Sequence, residues 1–199
     1  MAQAKAERKG ERTRQAILDA AIVRFGRDGY RATSVADIAR DAGVGGTVAY
    51  AYFPNKEALF LAALDEDAAG MIDEGLVSLG HGLGQWHQAL MSTLVAAADR
   101  HPLARRLLAG LEPDVTTRVL EIPALAELRK AIAERLRSEQ AAGTVRTDID
   151  EVAVANGLVT IVLSLLMSVV QLGGDAATTY APDVIRVIEA AIGEPPRRS

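Results

Sequence analysis

The chain has no cysteine, so neither a disulfide nor a thiolate-ligated zinc site is available to it. That absence fits a reducing compartment. Aromatic residues make up only 4% of the 199 positions, which leaves Ala, Leu, Val and Ile to build the core and favours helices. No segment alternates apolar and polar residues with period two, so no sheet is expected. The opening residues, MAQAKAERKGERTR, contain no apolar run of signal-peptide kind, and the expected location is cytoplasmic. Catalytic signatures are missing as well. The three histidines, His81, His87 and His101, form no H-E-x-x-H and have no carboxylate at metal-ligand spacing, and no G-x-S-x-G occurs. Neither an enzyme nor a cofactor nor a metal is expected.

What charge there is lies unevenly. Residues 1–56 hold ten Lys/Arg against six Asp/Glu, net +4, and residues 57–199 hold twelve against twenty, net −8, which together give the −4 of the whole chain. A basic amino-terminal quarter on an acidic body points one end toward a polyanion. Ordinary surface variation is the plainer reading. One run, Val152 to Leu172, has no charged residue over the ~20 positions that cross a bilayer core. Against a membrane span, Asn156, Thr160, Ser164 and Ser168 recur every four residues as a polar stripe. No Lys/Arg cluster flanks the run, and Asp148, Asp150 and Glu151 lead into it. The run reads better as a helix buried by its own domain on one side and by a second subunit on the other.

Residues 1–11 are polar and unpatterned and read as a mobile basic arm. A first helix over 13–27 aligns Ile17, Ala21 and Phe25, widened by Leu18 and Ile22, and ends at Asp28-Gly29. A second starts at Ser34, with Asp37 three residues on as a weak capping box, and stops at Gly43. A third fits 45–52. Asn55 can cap a fourth over 56–78. Further helices are expected at 84–100, 102–111, 115–141, 150–172 and 182–192, with breaks at 80–84, His101-Pro102, Glu112-Pro113, Gly143 and Gly173-Gly174. Pro123 should kink or split the segment in which it sits. The expectation is therefore all-α, with a small domain over 12–56, a larger one over 57–193 and a tail at 194–199.

The stretch AGVGGTVAYAYFPNKEAL, residues 42–59, carries most of the functional information. It is no phosphate-binding glycine loop, because no Lys-Ser or Lys-Thr follows the glycines and a helix precedes them. It suits a helix-turn-helix. Ala39 is small where two helices cross, Gly43 sits at the turn, and Val44 and Ala49 anchor the second helix, with Tyr52 and Phe53 closing its end. Gly45, Gly46, Thr47, Tyr50 and Ala51 are left on the outer face, where a recognition helix meets the major groove. An ordinary helical hairpin has the same core pattern, so spacing alone leaves both open.

The longer stretch from Arg12 to Phe60 decides between them. Its Ile-Leu-x-Ala-Ala, its Gly-Tyr ahead of Thr-Ser-Val, its Ile-Ala-x-x-Ala-Gly-Val and its Tyr-x-Tyr-Phe-x-x-Lys-Glu-x-Leu resemble the amino-terminal domain of TetR-family transcriptional regulators. The resemblance covers about fifty residues; beyond them the chain is similar only in being helical. It implies a three-helix DNA-binding domain followed by a six-helix domain for ligand binding and dimerisation. It also implies a homodimer on a palindromic double-stranded operator, released by a small-molecule inducer, most often as a repressor. Ser34 then begins the second helix at a phosphate, Tyr50 touches backbone or bases, and Tyr52 and Lys56 meet phosphate. Plainer roles exist for each: a cap, wedges between helices, a solvated charge. A helical protein-binding adaptor, or an enzyme, would be the alternatives.

The sequence departs from the family where it matters. Positions 45 and 46, commonly polar or basic, are both Gly, and Thr47-Val48-Ala49-Tyr50 replaces the usual Gly-Thr-Leu-Tyr. With Gly45, Gly46, Thr47 and Tyr50 alone, the recognition face has no Arg or Lys to grip guanine. Readout then shifts to thymine methyls, DNA shape and phosphate. The basic arm, Lys5, Arg8, Lys9 and Arg12, is suited to a phosphate or a minor groove, or else is a solvated tail. In the body, Trp86, His87, Met91, His101, Asn156 and Met167 are the candidate ligand contacts, being polar, aromatic or soft within apolar helices.

Overall fold

The structure is a computed structural model, and it describes residues 1–80, 86–113 and 122–193. Among them are nine helices and no strand: α1 (Ala2–Ala32), α2 (Val35–Asp41), α3 (Gly46–Tyr52), α4 (Lys56–Ser78), α5 (Trp86–Ala97), α6 (Pro102–Leu108), α7 (Pro123–Ala141), α8 (Glu151–Leu172) and α9 (Gly174–Ile192). Residues 81–84 of the expected glycine break, residues 115–121 of the segment expected over 115–141 and the tail expected at 194–199 lie outside the described residues. Pro123 stands at the first turn of α7, where its missing N–H costs nothing.

The chain forms two compact units, Met1–Ala68 with His101–Thr116, and Ala69–Arg100 with Thr117–Ser199. In the first, Ile17, Leu18, Ala21 and Phe25 of α1 are at most 1% exposed, the stripe legible in the sequence. Phe25 and Tyr30 both meet the ring of Phe60 edge-on, at 5.0 and 5.1 Å. The helix breaks at Gly29, whose φ of 83° lies in the left-handed region that only glycine enters freely. Residues 2–11, expected as an arm, are the first turns of α1.

The first unit also contains α6, which lies along α1. The close approach is made at Gly26, where a Cβ would stand 2.8 Å from Pro102 Cβ and 3.1 Å from its carbonyl carbon. Helix propensity favours Gly26→Ala by about 1 kcal/mol. The rigid Pro102 ring reverses the sign, and we expect this substitution to destabilise by about 1–3 kcal/mol, the usual cost of overpacking, measured by urea unfolding.

In the second unit, α8 lies between α7 and α9, and α5 packs on α8 and α9. Trp86, Leu90 and Leu94 of α5, Ile132 and Leu136 of α7 and Val159 of α8 are at most 2% exposed. Asp150 caps α8, accepting from the Val152 and Ala153 amides at 2.9 and 3.0 Å. The last helix begins at Gly174, not at 182; Pro182 lies inside it with its ring exposed. A proline reads as a helix start when only local rules are applied, whereas here Gly173, at φ 95°, sets the boundary between α8 and α9.

Candidate nucleic-acid interface

The turn between α2 and α3 closes as a Schellman motif. The Gly43 N–H donates to Arg40 O at 3.1 Å and the Val44 N–H to Ala39 O at 2.9 Å, with Gly43 at φ 69°. This satisfies the last carbonyls of α2 and sends the chain directly into α3. Ala39 and Ala49, 1% and 0% exposed, are the small buried residues of the two helices, which lets the backbones come close. Phe53, 4% exposed, seals the end of α3, and the Arg14 guanidinium stacks 5.4 Å from its ring centroid.

The opposite face of α3 is open. Gly45, Thr47, Tyr50 and Ala51 are exposed and Gly46 is half-buried. Tyr50 is 53% and Val48 40% exposed. A Cβ placed on Gly45 or Gly46 would meet nothing within 4 Å. Both glycines have ordinary negative φ or lie in regular helix, so the backbone does not require them. What their missing side chains leave is bare peptide at the tip of the recognition helix.

The neighbouring residues are more committed than the sequence suggests. Ser34 caps α2, accepting from the Asp37 N–H at 3.1 Å and donating its hydroxyl to Asp37 Oδ2 at 2.7 Å. This hydroxyl, together with Arg40, holds the Asp37 carboxyl below its ordinary range. Asp41 is likewise lowered by its bond to Arg24, which ties α2 to α1. The Lys56 ammonium sits 4.5 Å from the Tyr30 ring centroid and 3.4 Å from Arg31 O. That parking site was invisible in sequence because Tyr30 lies 26 positions away. Tyr52 is half-buried, its hydroxyl against Gly10. Asn55 caps α4 as expected, through the Ala58 N–H at 2.8 Å.

The six candidate ligand contacts fall on α5, on α8 and at the cap of α6. Trp86, His87 and Met91 share α5 and are 1%, 3% and 3% exposed. Trp86 Nε1 donates to Glu139 Oε2 at 3.2 Å, and His87 Nε2 lies 3.4 Å from Glu189. His101 belongs to the first unit, paired with the buried Asp67 at 3.0 Å. Asn156 is exposed in a shallow groove with Arg129 and Arg137, and Met167 is half-buried. The polar stripe resolves plainly: Thr160, Ser164 and Ser168 each donate to the carbonyl four residues back, at 2.9, 2.9 and 3.0 Å.

The family model for bacterial regulatory proteins of the tetR family matches residues 17–63. The HTH-type transcriptional repressor AcnR of Corynebacterium jeikeium is 27% identical over 96% of this chain and 94% of its own length. The HTH-type transcriptional repressor ComR of Escherichia coli is 48% identical over 52 residues, 26% of this chain and 25% of its own. Among solved structures, FadR of Thermus thermophilus, a TetR-family repressor in complex with lauroyl-CoA, has a TM-score of 0.65 at 23% identity, over 94% of this chain and 98% of that one. The helix-turn-helix thus lies in the residues that match the tetR family of bacterial regulatory proteins, and the fold of a TetR-family repressor extends over nearly the whole chain.

Proposed function

We propose that the chain is a ligand-responsive repressor that binds a palindromic operator as a homodimer through α2 and α3. The observation that carries the DNA reading is the open, nearly side-chain-free tip of α3 on a well-built helix-turn-helix. Thr47 and Tyr50 meet the bases and sugar-phosphate, the bare peptide at Gly45 and Gly46 approaches closely, and Tyr52 and Lys56 add phosphate grip. Gel retardation with DNA from upstream of its own gene tests this. Tyr50→Ala and Lys56→Ala should each weaken retardation by about tenfold, in line with 1–3 kcal/mol contacts. Unchanged binding in both would overturn the reading, and substrate turnover would favour an enzyme instead.

Dimerisation falls to α8 and α9. Only 33% of the most apolar part of α8 is buried within the chain, and Val152, Leu172, Tyr180 and Val187 are 51–70% exposed. Apolar surface of this extent marks an interaction site, and a two-fold partner suits paired half-sites about 34–36 Å apart. The exposed Thr160 and Ser164 have their hydroxyls already bonded, so a partner helix can cover them without stranding those donors. Ser164→Arg should leave the fold intact and halve the mass seen in sedimentation; a dimer that survives it would remove this face from the interface.

Release of DNA follows from a ligand that favours one of two dimer states, with a coupling of about 1–3 kcal/mol. The second unit has an aliphatic core, which suits an apolar inducer, the kind of molecule the acyl chain in the FadR complex represents.

A further inference from the structure

The amino-terminal turns of α1 are a helical rod with one basic face. Arg8, Lys9 and Arg12 are exposed, while Gly10 and Thr13 are half-buried and Ile17 is fully buried. At ~100° per residue, Arg8, Lys9 and Arg12 span about 100° of the circumference, turned away from the Gly10–Ile17 side. Among the described residues, none of the three cations has a carboxylate within ion-pair reach, unlike Arg24, Arg27 and Arg40 on the same unit. The rod stands against the end of the recognition helix: the Tyr52 hydroxyl lies 3.6 Å from where a Gly10 Cβ would be. An open groove there is lined by Glu7, Arg8, Gly10, Glu11, Arg14 and Tyr52. Glu7 and Glu11 disfavour phosphate in that groove, which Arg8 and Arg14 also line, so the cationic approach runs along the stripe of Arg8, Lys9 and Arg12.

Resting on the DNA reading above, we propose that this rod is a second DNA-binding element, gripping backbone phosphates that flank each half-site. Its partner is duplex DNA because the charge is unpaired, the element adjoins the recognition helix, and its length of about 16 Å over residues 2–12 (~1.5 Å per residue) matches several phosphate spacings. The contact carries no sequence information. As a docked helix, the rod lies on the phosphates instead of threading a minor groove.

The test is fluorescence anisotropy on upstream duplexes of two lengths, with and without flanks, across salt. For the triple variant R8A/K9A/R12A we expect a loss on the order of tenfold on the long duplex, a log–log salt slope smaller by about one per lost phosphate contact, and no further loss on the short duplex. Gly10→Ala, whose Cβ makes only ordinary contact, should bind as well as the parent or better. Gly10→Pro breaks the rod while keeping every cation, and should lose as much as the triple variant. If the triple variant keeps its affinity and slope, the second element is refuted while the helix-turn-helix reading stands. If Gly10→Pro binds normally, the rod is refuted in favour of a flexible arm. If the parent protein binds no duplex at all, both readings fail together.

Discussion

An Asp67→Ala protein should unfold in urea with about 3 kcal/mol less stability than its parent, followed by circular dichroism. Asp67 is 5% exposed on α4. Its Oδ2 accepts the Leu103 and Ala104 amides, both at 2.8 Å, and its Oδ1 lies 3.0 Å from His101 Nδ1. Those amides belong to the unpaired first turn of α6. Pro102 has no N–H, and His101, at the cap position, makes no side-chain cap bond. A carboxylate from another helix therefore does the capping. Its removal strands buried donors at about 1–3 kcal/mol each. Asp67→Asn keeps an oxygen for the amides and should recover about half the loss. A cost below about 1 kcal/mol for the alanine variant would mean that Leu103, Leu107 and Leu108 hold α6 unaided.

The largest effect is expected at Trp86, where Trp86→Ala should cost about 3–5 kcal/mol. The indole is 1% exposed, and its N–H meets Glu139, itself 1% exposed, whose other oxygen binds Arg135 at 2.9–3.0 Å. Truncation opens a cavity and also removes a donor from a buried carboxylate. Trp86→Phe separates the two, because it restores most of the volume and none of the hydrogen bond. Its cost should be about 1–3 kcal/mol, and no cost at all would show the Trp86–Glu139 bond to be idle. As the chain's single tryptophan, Trp86 also reports on the second unit alone. In the Asp67→Ala protein, its emission and the circular dichroism should therefore separate if the two units unfold independently.

Short-range chemistry made much of the interface legible. The Ser34 cap, the Gly43 turn, the Asn55 cap and the inward Ile17, Phe25 and Ala49 all follow from spacings of three to eight residues, and the structure places each accordingly. What stayed hidden depends on distant partners. Nothing local says that α6 joins the unit of α1, because the signal is a missing side chain at Gly26 facing a proline 76 positions on. Nor does local sequence say that Glu112 binds the Tyr30 amide at 3.0 Å, or that Glu139 is buried. A glutamate in a helix reads as a solvated charge until its Arg and Trp partners are brought to it. The helical form of the amino-terminal turns was hidden for a related reason: their polarity suggests an arm, and their neighbour Tyr52, beside Gly10, is 42 residues away.

The central claim is that α3 presents bare backbone to duplex DNA and depends on phosphate contacts to stay there. Its most direct test is the equilibrium constant for one upstream duplex, measured from about 50 to 200 mM salt. With several phosphate contacts per protomer and no base-gripping Arg or Lys on α3, log K should fall linearly with log salt, and affinity should drop about a thousandfold or more over that range. Tight binding that stays flat across the same range would contradict the account.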